Sequence, residues 1–285
     1  MVNRNQVIVS WLALVTILFL SATVFAQTGG QGRAANSPAA PAPPASPQPT
    51  SAPHVDLSGI WNIGGAFSLS PKGGTMDAGT PADGIPYQPW ALEKFKQQRT
   101  ASGPNANFDN PTDPVINLCD PQPAPRIYTW PSKYKFIQAP DMVYILYEYG
   151  PFWRPILLNR KHPNPDELDN TWWGHAIGWY EGTDTFVIDT VGFNDKTWLD
   201  YVGHVHSDKL HTIERFRRVD SDHLEVSITI DDPGAYTAPF TWGPKLVKQS
   251  RQVQEYGLYP WICSQEENQK FNKDVVDPTL TPAGK

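Results

Sequence analysis

The sequence predicts an all-β protein: an antiparallel meander closed into a barrel or a strongly curled sheet, with one short helix in an insertion near its start. Three observations carry this expectation. From Lys133 onward, short apolar and aromatic runs are separated by Ala139-Pro140-Asp141, Tyr149-Gly150-Pro151, Glu181-Gly182-Thr183-Asp184 and Asp220-Ser221-Asp222, residue types that favour chain reversal. The run 223–231 alternates cleanly, with Leu224, Val226, Ile228 and Ile230 against Glu225, Ser227, Thr229 and Asp231, the period of a half-buried strand. No stretch of helical period separates these runs, so neighbours in sequence pair directly. About eight to ten strands in an open sheet would leave exposed edges, and closure removes them. A two-sheet sandwich is the alternative.

Residues 1–26 read as a secretory signal peptide. Arg4 supplies a positive start, residues 7–20 are apolar apart from Ser10 and Thr16, and Val24 and Ala26 stand where a signal peptidase reads. The apolar run falls short of the roughly 20 residues of a membrane span. No stable membrane insertion is therefore expected after cleavage; an uncleaved anchor is the alternative. Residues 27–53 are almost wholly Pro, Ala, Ser, Gly and Gln with Arg33 as their charge. They have too little apolar surface to offset chain entropy and read as a disordered linker. Residues 54–285 are left as a single β-rich domain, and the address is periplasmic or extracellular.

Within that domain, residues 55–63 open with a short strand and 64–85 read as Gly-, Pro- and Asp-rich loop. Pro89 starts the helix, in PWALEKFKQQR, where Trp90, Leu92 and Phe95 are spaced to meet a core; Gly103 is expected to end it. Residues 104–131 form a long irregular passage. Strands follow at 133–138, 142–149 and 152–158, then hairpins pairing 172–180 with 185–191 and 210–219 with 223–231. Residues 240–253 read as a strand pair or one long bent strand, and the tail beyond Glu266 is polar.

Composition excludes several functions. Removing residues 1–26 takes the net charge from −6 to −7, and a mildly acidic chain without a basic cluster does not suit nucleic acid. There is no P-loop, no GxGxxG after a strand and no GxSxG. Cys119 and Cys263 are the two cysteines; in an oxidising compartment they would form one disulfide closing a long loop, the alternative being two buried thiols.

Two resemblances bear on the reading. Gly59-Ile60-Trp61 on a first strand followed by a meander resembles the lipocalin and calycin barrels, which implies a tryptophan plugging the closed end and a barrel holding a small apolar ligand. The string GWYEGTDTFVIDTVGFNDKTWLD, with GHVHSD and LHTIERFRRVD after it, is similar to a group of uncharacterised secreted bacterial proteins. That likeness covers most of residues 54–268 and implies export and domain extent without an activity.

The stretch 172–214 concentrates candidate chemistry, with His175, His204, His206 and His211 among acids and tryptophans. In 172–180, strand parity puts Trp173, His175, Ile177 and Trp179 on one face, expected to be buried or to line a cavity, and Trp172, Gly174, Ala176, Gly178 and Tyr180 on the other. The small residues of the second face suit a close neighbour. Gly203-His204-Val205-His206-Ser207-Asp208 puts His204, His206 and Asp208 on one side of an extended segment, a ligand set for a divalent metal if His175 or His211 completes it; capping of a loop is the bland alternative. Glu148 and Arg154 could pair across a turn. Glu214 shares a face with Leu210, Thr212 and Phe216, so it is either an acid–base group near a histidine or half of an ion pair with Arg126, Arg154, Arg215 or Arg217. Trp130, Trp153, Trp173, Trp179 and Trp198 could form a stacking wall or simply fill a core.

The leading expectation is a protein that binds a small apolar or aromatic ligand inside its barrel through His175, Glu148, Arg154, Trp173, Trp179, Glu214 and Arg126. An enzyme using the His204–His206–Asp208 metal set or a His175–Glu214 acid–base pair is the second. A structural envelope protein is the third. Haem on an inward histidine stands behind a divalent metal as cofactor.

Overall fold

The chain, seen in a computed structural model, is described for residues 54–271 except 63, 66–67, 108–111, 151 and 251–256. The signal-peptide and linker readings lie outside these residues. The described residues belong to one compact unit, Pro49–Lys285.

Nine strands close into a barrel: β1 Ile60–Asn62, β2 Lys133–Gln138, β3 Met142–Tyr147, β4 Trp153–Leu158, β5 His175–Glu181, β6 Thr185–Val191, β7 His211–Arg218, β8 His223–Asp231 and β9 Phe240–Gln249. Each pairs with its successor, and β9 returns to β1 through Trp61↔Gln249. The meander is antiparallel with one exception. β4 and β5 run parallel, meeting at Leu157↔Ile177 and Leu158↔Gly178. An odd ring of strands cannot alternate direction all the way round, so closing nine strands requires such a pair. The link between them, residues 159–174, must cross the length of the barrel. Gly178 permits the contact, since a Cβ there would stand 2.7 Å from Ile156 Cγ2. Toward their starts β4 and β5 part, and Pro155, with no N–H to offer, sits where their ladder is missing.

Helices number three short ones among the described residues where the sequence suggests one: α1 Pro89–Gln97, α2 Pro114–Leu118 and α3, residues Gln265–Phe271. α1 stops before Gly103 because Gln98 turns extended, its N–H held by the Phe95 carbonyl. α2 lies in the passage read as irregular. Asp113 caps it by accepting the Val115 N–H, with Pro114 at its first turn, a cap-and-proline start too short to show a helical period. β5 begins at His175 rather than residue 172, and β9 is one strand. No helix among the described residues is long and apolar enough to cross a membrane.

The two ends of the barrel differ. Tight turns at residues 139–141, 182–184 and 219–222 close one end. There Trp61 is wholly buried, donates its indole N–H to the Leu57 carbonyl at 3.0 Å, and lies under the Arg218 guanidinium at 4.9 Å. The other end receives the described residues of 64–131, the β6–β7 loop, the β8–β9 loop and residues 257–264. Between the ends, Tyr134, Phe136, Phe186 and Phe216 alternate inward and meet edge to face, Phe136 and Phe216 at 5.1 Å, a geometry that adds to area burial. Cys119 and Cys263 form a disulfide, Cα atoms 5.5 Å apart across 144 residues of sequence, tying α2 to the chain before α3.

Candidate functional site

Arg154 and Glu214 meet inside the barrel. Arg154 points inward from β4, and Glu214 from β7 shares the inward face with Thr212 and Phe216. The guanidinium donates to both carboxylate oxygens, at 2.8 and 3.0 Å, and to Thr190 Oγ1 at 2.6 Å. Tyr128, inserted by the 3-10 turn Arg126–Thr129, donates its hydroxyl to Glu214 at 2.8 Å. Both charges are fully buried, so the fork geometry is what offsets their desolvation. Burial, with Glu214 beside it, raises Tyr128 well above its ordinary range and keeps it a neutral donor. This arrangement is a structural pillar with both charges committed to each other.

The other sequence candidates separate. Glu148 accepts from Lys133 Nζ at 3.0 Å on the rim. Arg126 sits buried under the loop end, bonded to Asp113 and the Asp200 carbonyl, with Trp198 and Tyr201 beneath its guanidinium at 5.5 and 5.7 Å. Trp179 lies on the outer wall and donates to Glu181 at 3.2 Å. Trp173 stacks on Tyr147 at 5.4 Å. His175 is on the outer wall as well, which corrects the expected facing: Ala176, Gly178 and Tyr180 are opposite inward Thr190, Ile188 and Phe186, so His175, Ile177 and Trp179 face away from the core. The link 159–174 lies along that outer face, with His162 reaching His175 and Asp189 and Leu168 beside Gly192, and Ile177 and Val187 are buried outside the barrel.

His204, His206 and Asp208 take different neighbours. His204 Nδ1 contacts Asp200 while its ring stacks on Phe95 at 4.8 Å. His206 contacts Thr197 Oγ1 at 3.1 Å and the Ser207 carbonyl at 3.1 Å, and Asp208 is exposed. Asp200 accepts from the backbone of Leu69, Val202, Gly203 and His204, so this segment is a self-knotted loop. Among the described residues no group of three or more His, Cys, Asp or Glu side chains is disposed to hold a metal.

The loop end instead carries a pocket of about 300 Å³, lined by Trp130, Tyr149, Tyr201, Trp261, Ile262 and Gln122. Trp130 meets Trp261 at 5.7 Å and Tyr201 at 4.6 Å, and Tyr149 stands edge-on to Trp261 at 4.8 Å. Trp261 and Ile262 are 52% and 65% exposed, two adjacent large apolar residues at the surface beside the pocket. Gln122 is 2% exposed and its Nε2 has no hydrogen-bond partner among the described residues. Glu267 is the one charged group in the lining. Sequence reasoning found Trp130 here and missed Gln122, Tyr149, Tyr201 and Trp261. The signal was the disulfide: Gln122 and Trp261 lie within three positions of Cys119 and Cys263.

A second recess of about 360 Å³ opens on the outer wall where β4 and β5 part, lined by Met142, Tyr144, Trp153, Pro155, Trp173 and His175. Compared with protein-family models, curated proteins and solved structures, the chain matches none.

Proposed function

We propose that this protein is exported and binds a small, neutral, ring-bearing ligand in the loop-end pocket. The observation that carries the reading is a recess walled by four aromatic rings beside the exposed Trp261–Ile262 pair. Mostly apolar, aromatic walls with a few polar groups at the edge are how small-molecule sites combine affinity with orientation. The pocket volume suits a molecule of one or two rings. With Glu267 as the lining charge, an anion would be repelled. Export rests on the leader-like residues 1–26 and on the disulfide, which persists in oxidising compartments. The likeness to secreted bacterial proteins and to lipocalin barrels agrees with this reading, with the ligand held at the open end and the barrel centre given to the Arg154–Glu214 pillar.

The test uses prodan, a neutral naphthyl ketone whose emission moves to the blue in apolar surroundings. Saturable blue-shifted emission is expected with the mature protein. Trp261→Ala should weaken binding by roughly tenfold, about 1.4 kcal/mol. Trp130→Leu should weaken it several-fold, since the ring that meets Trp261 in the pocket wall is lost. Affinity that survives both substitutions, or no saturable signal, would rule the pocket out.

A further inference from the structure

The outer recess ends on a hydrogen-bonded chain of side chains that the loop-end reading does not use. Asp189 on β6 accepts from His211 Nε2 at 2.8 Å and from His162 Nε2 at 3.0 Å. His162, on the β4–β5 link, places its Nδ1 2.9 Å from Nδ1 of His175. A neutral His162 that donates through Nε2 has a lone pair at Nδ1, so His175 must donate through its own Nδ1. That fixes the His175 tautomer and leaves Nε2 as a bare lone pair, without a partner among the described residues, on a residue that lines the recess. Burial, and then the nearby His162, lower the His175 pKa and keep it neutral. Burial would raise Asp189, but its bonds to His211 and His162 outweigh that and hold it ionised.

We propose that this recess is a second, independent site, which binds a phenol-class ligand and takes its proton through the His175–His162–Asp189 relay. Tyr144 and Trp153, 5.8 Å apart on the outer face of β3 and β4, and Trp173 across the gap provide the aromatic walls. The ligand O–H bond breaks, its electron pair stays on oxygen, and an N–H bond forms at His175 Nε2. The Nδ1 proton of His175 passes to His162 Nδ1. The positive charge then rests on His162 against the Asp189 carboxylate, and His175 Nε2–H donates to the phenolate formed. No further reactant is needed. Arg154, whose Nε is buried without a partner, and Tyr144 are the other ionisable groups of the recess. Asp231 adds its field at His211.

Para-nitrophenol is the probe, because its phenolate absorbs in the visible and its phenol does not. Titrated into the mature protein at a pH where the free probe is mostly protonated, it should show a saturable phenolate band. Asp189→Asn, nearly isosteric, should move the apparent pKa of bound probe up toward that of free probe, and His175→Ala should abolish the band. Trp153→Ala should weaken affinity several-fold while leaving the apparent pKa at saturation unchanged. Trp261→Ala, in the loop-end pocket, should change neither. The proposal falls if the probe does not bind, if bound probe titrates as it does in water, if folded Asp189→Asn behaves like wild type, or if Trp261→Ala removes the band.

Discussion

The turn end and the loop end of this barrel treat buried polar groups in opposite ways. At the turn end, Arg218 is spent on the Trp61 face and on the carbonyls of Asp56, Asp220 and Ser221. At the loop end, Gln122 Nε2, Arg126 Nε and His204 Nε2 are buried without partners among the described residues, and the other three such atoms belong to Tyr134, Arg154 and Thr212. Each of those three is the second residue of a strand that starts at the loop end, β2, β4 and β7 respectively. Tyr134 stands opposite Trp61 in the β1–β2 register, between the ends, and the other atoms of this kind lie toward the loop end among the described residues. The turn end is closed by tight turns around the buried Trp61, whereas the loop end holds the exposed Trp261 and Ile262.

The largest test of this contrast compares two tryptophans. Trp61→Ala should cost about 3–5 kcal/mol in urea unfolding, the loss for a fully packed aromatic. Trp261→Ala, half exposed, should stay within about 1 kcal/mol. Equal costs would make the loop-end aromatics structural and dissolve the distinction. Next, Glu214→Ala leaves the Arg154 charge buried and unpaired and should cost about 3–5 kcal/mol, whereas the double replacement Arg154→Met with Glu214→Leu should recover much of the loss. Failure of the double variant to recover would show that the pillar also positions the loop-end cover.

The smallest effect is on pH. The hydrogen bond to Asp189 holds His211 above its ordinary 6.5. Its contribution is therefore complete below pH 6.5 and is lost as pH rises through the raised value, a change of no more than about 1 kcal/mol. Burial lowers His206 from the same 6.5, so the unfolded chain takes up a proton the folded chain refuses, and stability falls as pH drops below 6.5. His211→Gln should flatten the stability profile above that pH and His206→Gln below it, measured by chemical unfolding across pH 5–8. A single profile shared by both variants would mean the two histidines are coupled through the β6–β7 loop.

Much of the barrel is legible in sequence because strand period and turn chemistry are local. The runs 133–138, 185–191 and 223–231 agree with β2, β6 and β8 to the residue, and the shared inward face of Thr212, Glu214 and Phe216 follows from parity alone. Parity cannot say which face is inside. For 172–180 the link 159–174 lies along the outer face and Ile177 is buried there, so an outer face looks like a core face. The HxHxD spacing of His204, His206 and Asp208 is likewise a local fact, but Asp200 folds the backbone around itself and turns the rings to separate neighbours.

By itself, then, the sequence determined the runs that become β2, β6 and β8 and the turns that join neighbouring strands, since these depend on alternation and residue type near at hand; it offered the Cys119–Cys263 bond beside the alternative of two buried thiols. Only the tertiary structure decided that β4 and β5 run parallel, because parity of a closed ring is a property of the whole count of strands. It also decided where polar capacity is left over. Gln122 and Trp261 come to one pocket beside a disulfide, and His162 reaches Asp189 and His175 from a link with no period of its own. Those contacts join residues far apart in the chain, and no local pattern encodes such a distance.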